Sequence, residues 1–307
     1  MGASKKNKAT NPVGFFFGLN TIDLQFQTGT YPSANTKTRA AATALHVGGP
    51  ATNAAICFQW LGGIATLCTP VGFHSFSNFI SGELKKLKVS LIDAAAGKNN
   101  DPTIASIVSE LENGTRTIVV SPPPPIRKTE KSFPDAELKD NPRVLLLDGF
   151  YMEQAIMLAK KYQSLKVPVI LDGGSWKKDM DKLLPHVDIA ICSASFRPPD
   201  VKTKDEIFEY LAAKEISKAA ITHDANPVLL MEDKQKSEVA TIAVDTVDSL
   251  AAGDFFHGAF CYYYALNYSF TESIKGATII AGNSCKYFGT REWMKKINPQ
   301  HYQQIQA

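Results

Sequence analysis

Short apolar segments alternate with amphipathic helical segments along most of the chain, and this alternation constrains the fold more than any other feature. The predicted strands are residues 64–71, 143–147, 167–171 and 188–192, and the predicted helices among them are residues 78–87 and 153–162. Strands that are apolar along their whole length are buried on both faces, which is typical of parallel strands between two layers of helices. The sequence therefore predicts an α/β fold with a mainly parallel central sheet.

The C-terminal half continues this pattern. Residues 218–222 and 228–231 are predicted to form a strand and its antiparallel neighbour, and residues 255–267 and 273–288 are predicted helices that close the fold. These segments extend the sheet at one edge and add to its helical layers.

Two polar segments do not fit the alternation. Residues 24–46 are rich in threonine and lack helical periodicity, so together with residues 105–120 they predict a small β-sheet. The run of four prolines in residues 121–125 cannot pair in a central strand and predicts an extended connector leaving that sheet. A polyproline II ligand for a partner domain is the alternative interpretation of this run.

Composition and charge exclude several functional classes. With 307 residues and 44% hydrophobic content, the chain can form one large domain with a sizeable core. The net charge of +3 is small, and the lysine pairs are scattered, which argues against a nucleic-acid-binding surface. No apolar stretch reaches membrane-spanning length, and the first residues lack the hydrophobic core of a signal peptide. We expect a cytoplasmic protein with no nucleic-acid and no membrane partner.

The cysteines and histidines show no metal-binding pattern. The five cysteines lie singly in apolar segments without a C-x-x-C pair, which indicates buried thiols in a reducing compartment. The six histidines show no ligand spacing. The sequence therefore predicts no metal ligands among its side chains.

The segment from Asp248 to Asp254 has the composition of an anion-binding turn. Ala251, Ala252 and Gly253 are consecutive small residues ahead of an apolar run, so their backbone N–H groups can converge on an anion where a helix begins. The carboxylate of Asp254 projects from the same turn and can accept the proton of an attacking hydroxyl group. Phosphoryl transfer needs this pairing, although a plain helix start has the same composition.

A second glycine-containing element lies far upstream. Gly48 and Gly49 are followed by Pro50 and Asn53 in the order Gly-Gly-Pro-Ala-Thr-Asn-Ala-Ala. Together the two elements resemble the paired motifs of the ribokinase or PfkB family of carbohydrate kinases. In that family the upstream element binds the sugar, and the downstream element supplies an anion hole and a base. The resemblance implies a ribokinase-like three-layer α/β/α fold with a small β-sheet lid.

The resemblance extends over nearly the whole chain. Asp23 follows a segment similar to the family's opening strand, which ends in a sugar-binding aspartate. Arg116 lies in a segment similar to the lid hairpin, whose arginine reaches the nucleotide phosphates. In that family the lid covers the sugar, and two chains often form a homodimer through it. The implied organisation is an N-terminal tail at residues 1–13 and a kinase domain at residues 14–307, with lid segments at about residues 23–46 and 102–120.

The resemblance also assigns the site residues. Asp254 is the expected general base, and the amides of Ala251, Ala252 and Gly253 are the expected anion hole. The expected substrate-binding residues are Asp23, Gly49, Pro50, Asn53 and Asp254, and the expected cofactor-binding residues are Arg116, Thr222, Asp224, Ala251, Ala252 and Gly253. The implied cofactors are ATP, Mg²⁺ held largely by phosphates and water, and a monovalent cation such as K⁺. On local sequence alone, Asp23 is also interpretable as a turn or cap residue and Asn53 as a helix-start residue.

Three departures from the family pattern affect these expectations. The glutamate of the N-x-x-E motif is absent from residues 193–196, which leaves water or another acid such as Asp172 to organise magnesium. The T-x-G-x-x-G turn near the nucleotide lacks both glycines after Thr222, so the adenine and ribose contacts are expected to differ. Pro50 stands where ribokinases have a sugar-contacting lysine and ketohexokinases an asparagine, which predicts a different sugar pocket.

The motifs favour an ATP-dependent kinase that acts on a sugar or a related small polyol. Leu250 and the hairpin at residues 113–117 resemble the ketohexokinase branch, whereas Ala251 and Ala252 resemble ribokinases. A nucleoside kinase of the same fold is one alternative, for which Phe26 would help to form a base pocket. A catalytically inactive family member with a binding or regulatory role is the other.

Overall fold

The computed structural model describes residues 11–112, 114–126 and 141–305. Most of the predicted N-terminal tail and Asn113 of the predicted hairpin lie outside this part of the chain. The strands are β1 (Val13–Phe17), β2 (Thr21–Thr28), β3 (Ala42–Gly48), β4 (Ile64–Thr69), β5 (Ser90–Asp93), β6 (Ile104–Glu110), β7 (Arg116–Val120), β8 (Val144–Leu147), β9 (Val169–Gly173), β10 (Ile189–Ser193), β11 (Lys218–His223), β12 (Asn226–Glu232) and β13 (Gln235–Val239). The helices are α1 (Pro50–Trp60), α2 (Ser77–Lys86), α3 (Met152–Ser164), α4 (Met180–Leu183), α5 (Lys204–Ala213), α6 (Ala252–Ala265), α7 (Phe270–Ser284) and α8 (Glu292–Lys296).

A large sheet forms the centre of the molecule. Within the described residues it has nine strands in the order β13-β12-β11-β10-β9-β8-β1-β4-β5. The seven strands from β11 to β5 pair in parallel, whereas β12 pairs antiparallel with both β11 and β13. Strands β8 and β9 are buried along their whole length, as their continuous apolar sequences predict. The prediction of a mainly parallel sheet with an antiparallel edge is confirmed.

Helices cover both faces of this sheet. On one face α1, α6 and α7 pack together, with Phe58, Phe255 and Phe270 in their shared core. On the other face α3 and α5 contribute Leu158 and Phe208 to a second core. Two apolar cores separated by one sheet give the predicted three-layer α/β/α architecture.

The two C-terminal helices begin earlier than predicted. Helix α6 starts at Ala252 rather than at residue 255, so Gly253 and Asp254 belong to its first turn. Helix α7 starts at Phe270 because Ser269 and Glu272 form a capping box, in which each side chain accepts a hydrogen bond from the backbone N–H of the other. It ends at Ser284, which leaves the segment before α8 irregular.

A separate four-stranded sheet has the order β3-β2-β6-β7, in which only β2 and β6 are parallel neighbours. Its side chains alternate between two faces. Asp23 and Gln25 of β2 are buried, whereas Leu45 and Val119 on the opposite face are 42% and 70% exposed. These strands lie in the segments predicted for the small sheet, and residues 121–126 follow β7 without forming a strand.

The five cysteines are buried with free thiols, as their apolar surroundings predict. Burial raises the pKa of the Cys68 thiol to about 12, which disfavours its reactive thiolate form. Among the described residues, none of the helices combines the length and the apolar composition that crossing a membrane requires.

Candidate active site

The candidate site lies at the carboxyl ends of the parallel strands. Strand β1 is flanked by β4 on one side and β8 on the other, so the order of the strands along the chain reverses there. In open α/β sheets such a reversal leaves a crevice outside the strand ends, where ligands bind. The first turns of α1 and α6 pack close together beside this point.

Asp148, immediately after β8, fixes the N-terminus of α1. Its Oδ2 accepts hydrogen bonds from the backbone N–H groups of Leu19, at 2.8 Å, and Ala51, at 3.2 Å. Its Oδ1 accepts a third from Phe150 N–H at 3.0 Å. Burial raises the pKa of Asp148 to about 6, although the N–H donors favour the charged form. A buried carboxylate at a helix N-terminus also interacts favourably with the helix dipole.

Asp23 lies against Gly48 and Gly49. A side chain at either position would have to displace neighbouring atoms. A Cβ atom on Gly48 would lie 1.8 Å from Asp23 Oδ2. Gly49 has φ +98°, and a Cβ there would lie 2.4 Å from the Leu19 carbonyl oxygen. Thr21 donates its hydroxyl hydrogen to Asp23 Oδ1. Burial raises the pKa of Asp23, and the Thr21 hydrogen bond opposes that shift. The two glycines therefore allow the carboxylate and the start of α1 to come close together.

Asn53 and Asp254 bring the two sequence motifs into contact. The Asn53 side chain, in the first turns of α1, donates from Nδ2 to Asp254 Oδ2 at 2.8 Å. Its Oδ1 accepts a hydrogen bond from Nη1 of Arg291 at 3.1 Å. Asn53 thus donates to Asp254 and is itself contacted by the buried Arg291.

The environment of Asp254 raises its pKa toward neutral pH. Burial raises the pKa of Asp254 to about 7, and the negative charge of Asp172 adds to the rise. The hydrogen bond from Asn53 and the nearby His257 oppose it. A carboxyl group that titrates near neutral pH is suited to accepting and releasing a proton during a reaction.

The first turn of α6 presents unpaired backbone N–H groups. Ala251 adopts a left-handed conformation with φ 62°, and α6 begins at the next residue. The N–H groups of Gly253 and Asp254 donate to no acceptor among the described residues, as expected for a first turn. The Ala252 N–H differs from the predicted anion hole, because it is 3.3 Å from the Ser249 carbonyl oxygen. The Ala251 N–H likewise donates to no acceptor among the described residues, so Ala252 is the one predicted anion-hole amide that is engaged there.

His257 attaches this turn to the ends of two strands. Its Nδ1 lies 2.7 Å from the Gly253 carbonyl oxygen and 3.5 Å from Asp172 Oδ2. Its Nε2 lies 3.1 Å from the Ile191 carbonyl oxygen. Each ring nitrogen of His257 therefore faces a backbone carbonyl oxygen, a group that accepts hydrogen bonds.

The smaller sheet makes two polar contacts with the turn before α6. Arg116 of β7 donates from Nη1 to the hydroxyl oxygen of Ser249. Gln25 of β2 donates from Nε2 to Asp248 Oδ2 at 2.6 Å, and the same oxygen accepts from Gly289 N–H at 2.9 Å. The predicted phosphate-binding arginine is thus beside the predicted anion hole.

Thr222 and Asp224 lie elsewhere. Thr222 is in β11 and donates its hydroxyl hydrogen to the Cys192 carbonyl oxygen at 3.4 Å. Asp224 is an exposed turn residue between β11 and β12, with φ 47°. Strand β11 is the neighbour of β10, whose Ile191 carbonyl oxygen contacts His257 of α6, so the two residues lie one strand beyond the strand that the α6 turn touches. Among the described residues, neither forms a hydrogen bond with Asp254 or Asn53.

Pro50 is the first residue of α1. Proline is favoured at this position because its missing N–H would have no partner in the first turn and its fixed φ suits the helix. Its ring carries no hydrogen-bonding group, so the first residue of α1 presents an apolar side chain.

Arg291 and Glu83 also belong to this cluster, although the sequence did not predict them. Arg291 follows an irregular segment after α7, and Glu83 lies in an amphipathic helix with several exposed charges. Neither residue belongs to a motif with a recognisable spacing. A charged residue after the conspicuous Gly-Thr dipeptide near the C-terminus was the only local signal.

The chain is similar to carbohydrate kinases over most of its length. The family model for pfkB family carbohydrate kinases matches residues 15–297. A ribokinase from Lactococcus lactis subsp. lactis (strain IL1403) is 23% identical over 289 residues, which cover 92% of this chain and 93% of the relative.

Solved structures show the same fold. The ribokinase of Giardia lamblia superposes with a TM-score of 0.80 at 17% identity, covering 95% of this chain and 98% of that one. The ribokinase of Arabidopsis thaliana, complexed with ribose and ATP, gives a TM-score of 0.72 at 17% identity, covering 96% and 99%. The ribokinase-like fold predicted from the sequence is confirmed.

Proposed function

The chain belongs to the pfkB family of carbohydrate kinases, and from this premise we propose that it transfers the γ-phosphate of ATP to a hydroxyl group of a sugar or related small polyol. The observation that carries the proposal is the contact between Asn53 and Asp254. It fixes a half-buried carboxylate in the first turn of α6, beside the unpaired N–H groups of Gly253 and Asp254. A base and an anion-binding helix end within one turn are what this reaction needs.

Asp254 is proposed as the general base. It accepts the proton of the sugar hydroxyl group while the hydroxyl oxygen bonds to the γ-phosphorus, and the bond from that phosphorus to the bridging oxygen of ADP breaks. The N–H groups of the α6 first turn stabilise the charge on the transferring group. Ala251, with its left-handed backbone, and Ala252 and Gly253 shape this turn without side chains that would obstruct the phosphate.

Asp23, Gly49 and Asn53 are proposed to bind the sugar. An ionised Asp23 only accepts hydrogen bonds, and Asn53 offers the remaining N–H of its Nδ2, so the pair suits hydroxyl groups that donate to one and accept from the other. Gly49 lets the sugar approach the backbone. Pro50 contributes an apolar wall where the related branches carry a polar side chain. A site of this kind discriminates against substrates that leave its buried polar groups unpaired.

The residues present fit ATP at the α6 end of the site. Arg116 offers a permanent positive charge next to Ser249 and the unpaired amides, and ATP is the nucleotide in the Arabidopsis ribokinase complex. Thr222 and Asp224 are proposed nucleotide contacts beyond the phosphates, because β11 is the strand next to the β10 that His257 of α6 contacts.

The cation requirements remain proposals. Among the described residues, no three His, Cys, Asp or Glu side chains form a metal-binding group, which fits Mg²⁺ carried mainly by the phosphates of ATP. Asp172, buried at the end of β9, is the acid proposed to hold magnesium-bound water in place of the absent glutamate. Bound Mg²⁺ would neutralise phosphate charge. A monovalent cation such as K⁺ is also proposed.

We also propose a homodimer through the outer face of the smaller sheet and a cytoplasmic location. The register aligns Leu24, Leu45, Ser106 and Val119 across the four strands. Leu45 and Val119 are exposed in this row, and an exposed apolar sheet face is typical of an interaction surface.

The substrate is proposed to be a ketose or a closely related sugar. The test is a panel of ketoses, aldopentoses, sugar phosphates and nucleosides, incubated with ATP and Mg²⁺ and assayed for ADP and for the phosphorylated product. Phosphorylation of a sugar with no turnover of nucleosides is the expected result. Activity confined to nucleosides would replace the sugar proposal with the nucleoside one. A folded protein that binds ATP but phosphorylates no member of the panel would support the non-catalytic alternative.

A further inference from the structure

Arg291 is a buried cation whose contacts converge on the candidate site. Its side chain is 5% exposed. Nη1 donates to Asn53 Oδ1 and to the Thr290 carbonyl oxygen, both at 3.1 Å, and Nη2 donates to the Val47 carbonyl oxygen. Nε lies 3.5 Å from Glu83 Oε1. The guanidinium group therefore joins α1, the end of β3, α2 and the segment before α8.

The contact with Asn53 determines how that side-chain amide is oriented. A guanidinium group only donates hydrogen bonds, and an ionised carboxylate only accepts them. With Arg291 on one side and Asp254 on the other, the amide oxygen must face Arg291 and the amide nitrogen must face Asp254. The opposite orientation would place two donors against each other on one side and two acceptors on the other.

The charges around Arg291 compensate its burial. Glu83 on α2 contacts it directly, and Asp23 on β2 and Asp254 on α6 act on it electrostatically. Glu83 is also 3.3 Å from His46 Nδ1 and accepts a hydrogen bond from Val47 N–H. Removing one partner from such a buried network leaves other charges uncompensated, so the network has one strongly preferred arrangement.

We propose that Arg291 is a positioning residue for phosphoryl transfer: it locks the Asn53 amide so that Nδ2 donates to Asp254. The assignment of Asp254 as the base rests on the proposed function, whereas the locking of Asn53 does not. A lysine cannot substitute fully, because its single ammonium group lacks the planar fork that reaches Asn53 and the Val47 carbonyl oxygen in different directions. One consequence is that Asn53 presents only N–H groups to a substrate, so the substrate atom bound there accepts a hydrogen bond.

The test compares Arg291→Lys and Arg291→Met with Lys295→Gln. Lys295 is an exposed cation on the adjacent helix α8, and it forms an ion pair with Glu292 of that same helix. In each protein, NMR follows the side-chain NH₂ signals of Asn53 and the ¹³C signal of the Asp254 carboxyl group across a pH titration. Steady-state kinetics with the sugar identified by the panel supply kcat and the KM for ATP.

We expect both Arg291 variants to lose the slow exchange of the Asn53 amide protons and to titrate Asp254 at higher pH than the parent. Their kcat at pH 7 should fall on the order of tenfold or more, with the KM for ATP unchanged and activity partly recovered at higher pH. Lys295→Gln should match the parent in every measurement.

Unchanged Asn53 and Asp254 signals in a folded Arg291→Lys protein would overturn the proposal, and this variant decides if Arg291→Met does not fold. If the parent phosphorylates no sugar, the proposed function fails while the NMR measurements still decide whether Arg291 orients Asn53.

Discussion

Asn53 donates a hydrogen bond to Asp254 over 2.8 Å, although 201 positions separate the two residues in the chain. The contact joins the first turns of two helices that pack against each other on one face of the sheet. It places a donor against a half-buried carboxylate at a helix N-terminus, where an anion is also favoured. The proposed chemistry of the site depends on this contact.

Asp254→Asn should reduce phosphoryl transfer by about 10²-fold or more while leaving ATP and sugar binding nearly intact, because it removes the general base and little volume. Steady-state rates and calorimetric affinities for sugar and ATP are the measurements. The control is Asp233→Asn, since Asp233 is an exposed turn residue with φ 48°, a conformation that asparagine also accepts. Turnover close to the parent rate in Asp254→Asn would assign the base elsewhere.

The rate should rise with pH through about 7, because Asp254 accepts a proton only when ionised and its pKa is about 7. Asp172, Asp23, His257 and Arg291 all contribute charge around it. At pH 6 we expect about one tenth of the plateau value of kcat/KM, which reports the ionisation of the ligand-free enzyme. A kcat/KM for the sugar that is constant from about pH 5.5 to about pH 8.5 would contradict this prediction.

The same pKa predicts a stability effect of opposite sense. A carboxyl group whose pKa is raised in the folded state favours folding below its unfolded pKa, and this contribution is lost as pH rises from 3.8 through about 7. Asp254→Asn imitates the neutral form, so it should be more stable than the parent at pH 8, by about 4 kcal/mol at most. Denaturant unfolding at two pH values is the measurement. An advantage of the variant that is no larger at pH 8 than at pH 5 would argue against a raised pKa.

Gly48→Ala should raise the sugar KM strongly, because its Cβ would lie 1.8 Å from Asp23 Oδ2 and must displace that carboxylate. We expect an increase on the order of tenfold or more, from the loss of about one to two hydrogen bonds to the sugar. The control is Gly82→Ala in α2, where a Cβ meets no atom within 4 Å and helix propensity favours alanine. Equal sugar KM values in the two variants would remove Asp23 from the sugar site.

Arg116→Lys should raise the KM for ATP without changing the sugar affinity, because lysine keeps the charge but loses the bidentate geometry that suits phosphate. Arg116→Ala should raise it further, on the order of tenfold. Thr117→Ala is the control, since neighbouring residues of a strand point to opposite faces and Thr117 pairs with Val108 rather than facing Ser249. An ATP affinity that does not respond to either Arg116 variant would exclude this residue from the phosphate site.

Val119→Asp should convert the proposed dimer to a monomer, because it places a charge at the most exposed apolar position of the smaller sheet. Light scattering coupled to size exclusion measures the mass directly. Met157→Asp, at an exposed position on α3, is the matched control and should leave the mass unchanged. A monomeric parent protein at micromolar concentration would reject the dimer.

Much of the fold follows from the sequence because local patterns encode it. Apolar segments such as residues 143–147 and 167–171 are typical of strands buried between two helical layers, which predicts the parallel sheet without knowledge of its neighbours. The glycine pair and the small-residue turn before Asp254 likewise predict close backbone approach and a helix N-terminus. The predicted start of α7 was wrong because the prediction left out the capping box of Ser269 and Glu272.

Only the tertiary structure decided which side chains meet. Arg291 contacts Asn53, and Gln25 contacts Asp248, through packing between elements that are remote in the chain. Such contacts depend on how α1, α6 and the segment before α8 are placed around the end of the sheet, and no periodicity or spacing in the sequence records that placement. The sequence by itself determined the layers of the fold and the small-residue turn that precedes Asp254, the proposed base. The burial that shifts the pKa of Asp254, the amide that donates to it and the arginine that orients this amide arise from tertiary packing, because desolvation and side-chain hydrogen bonds exist only once distant segments are brought together.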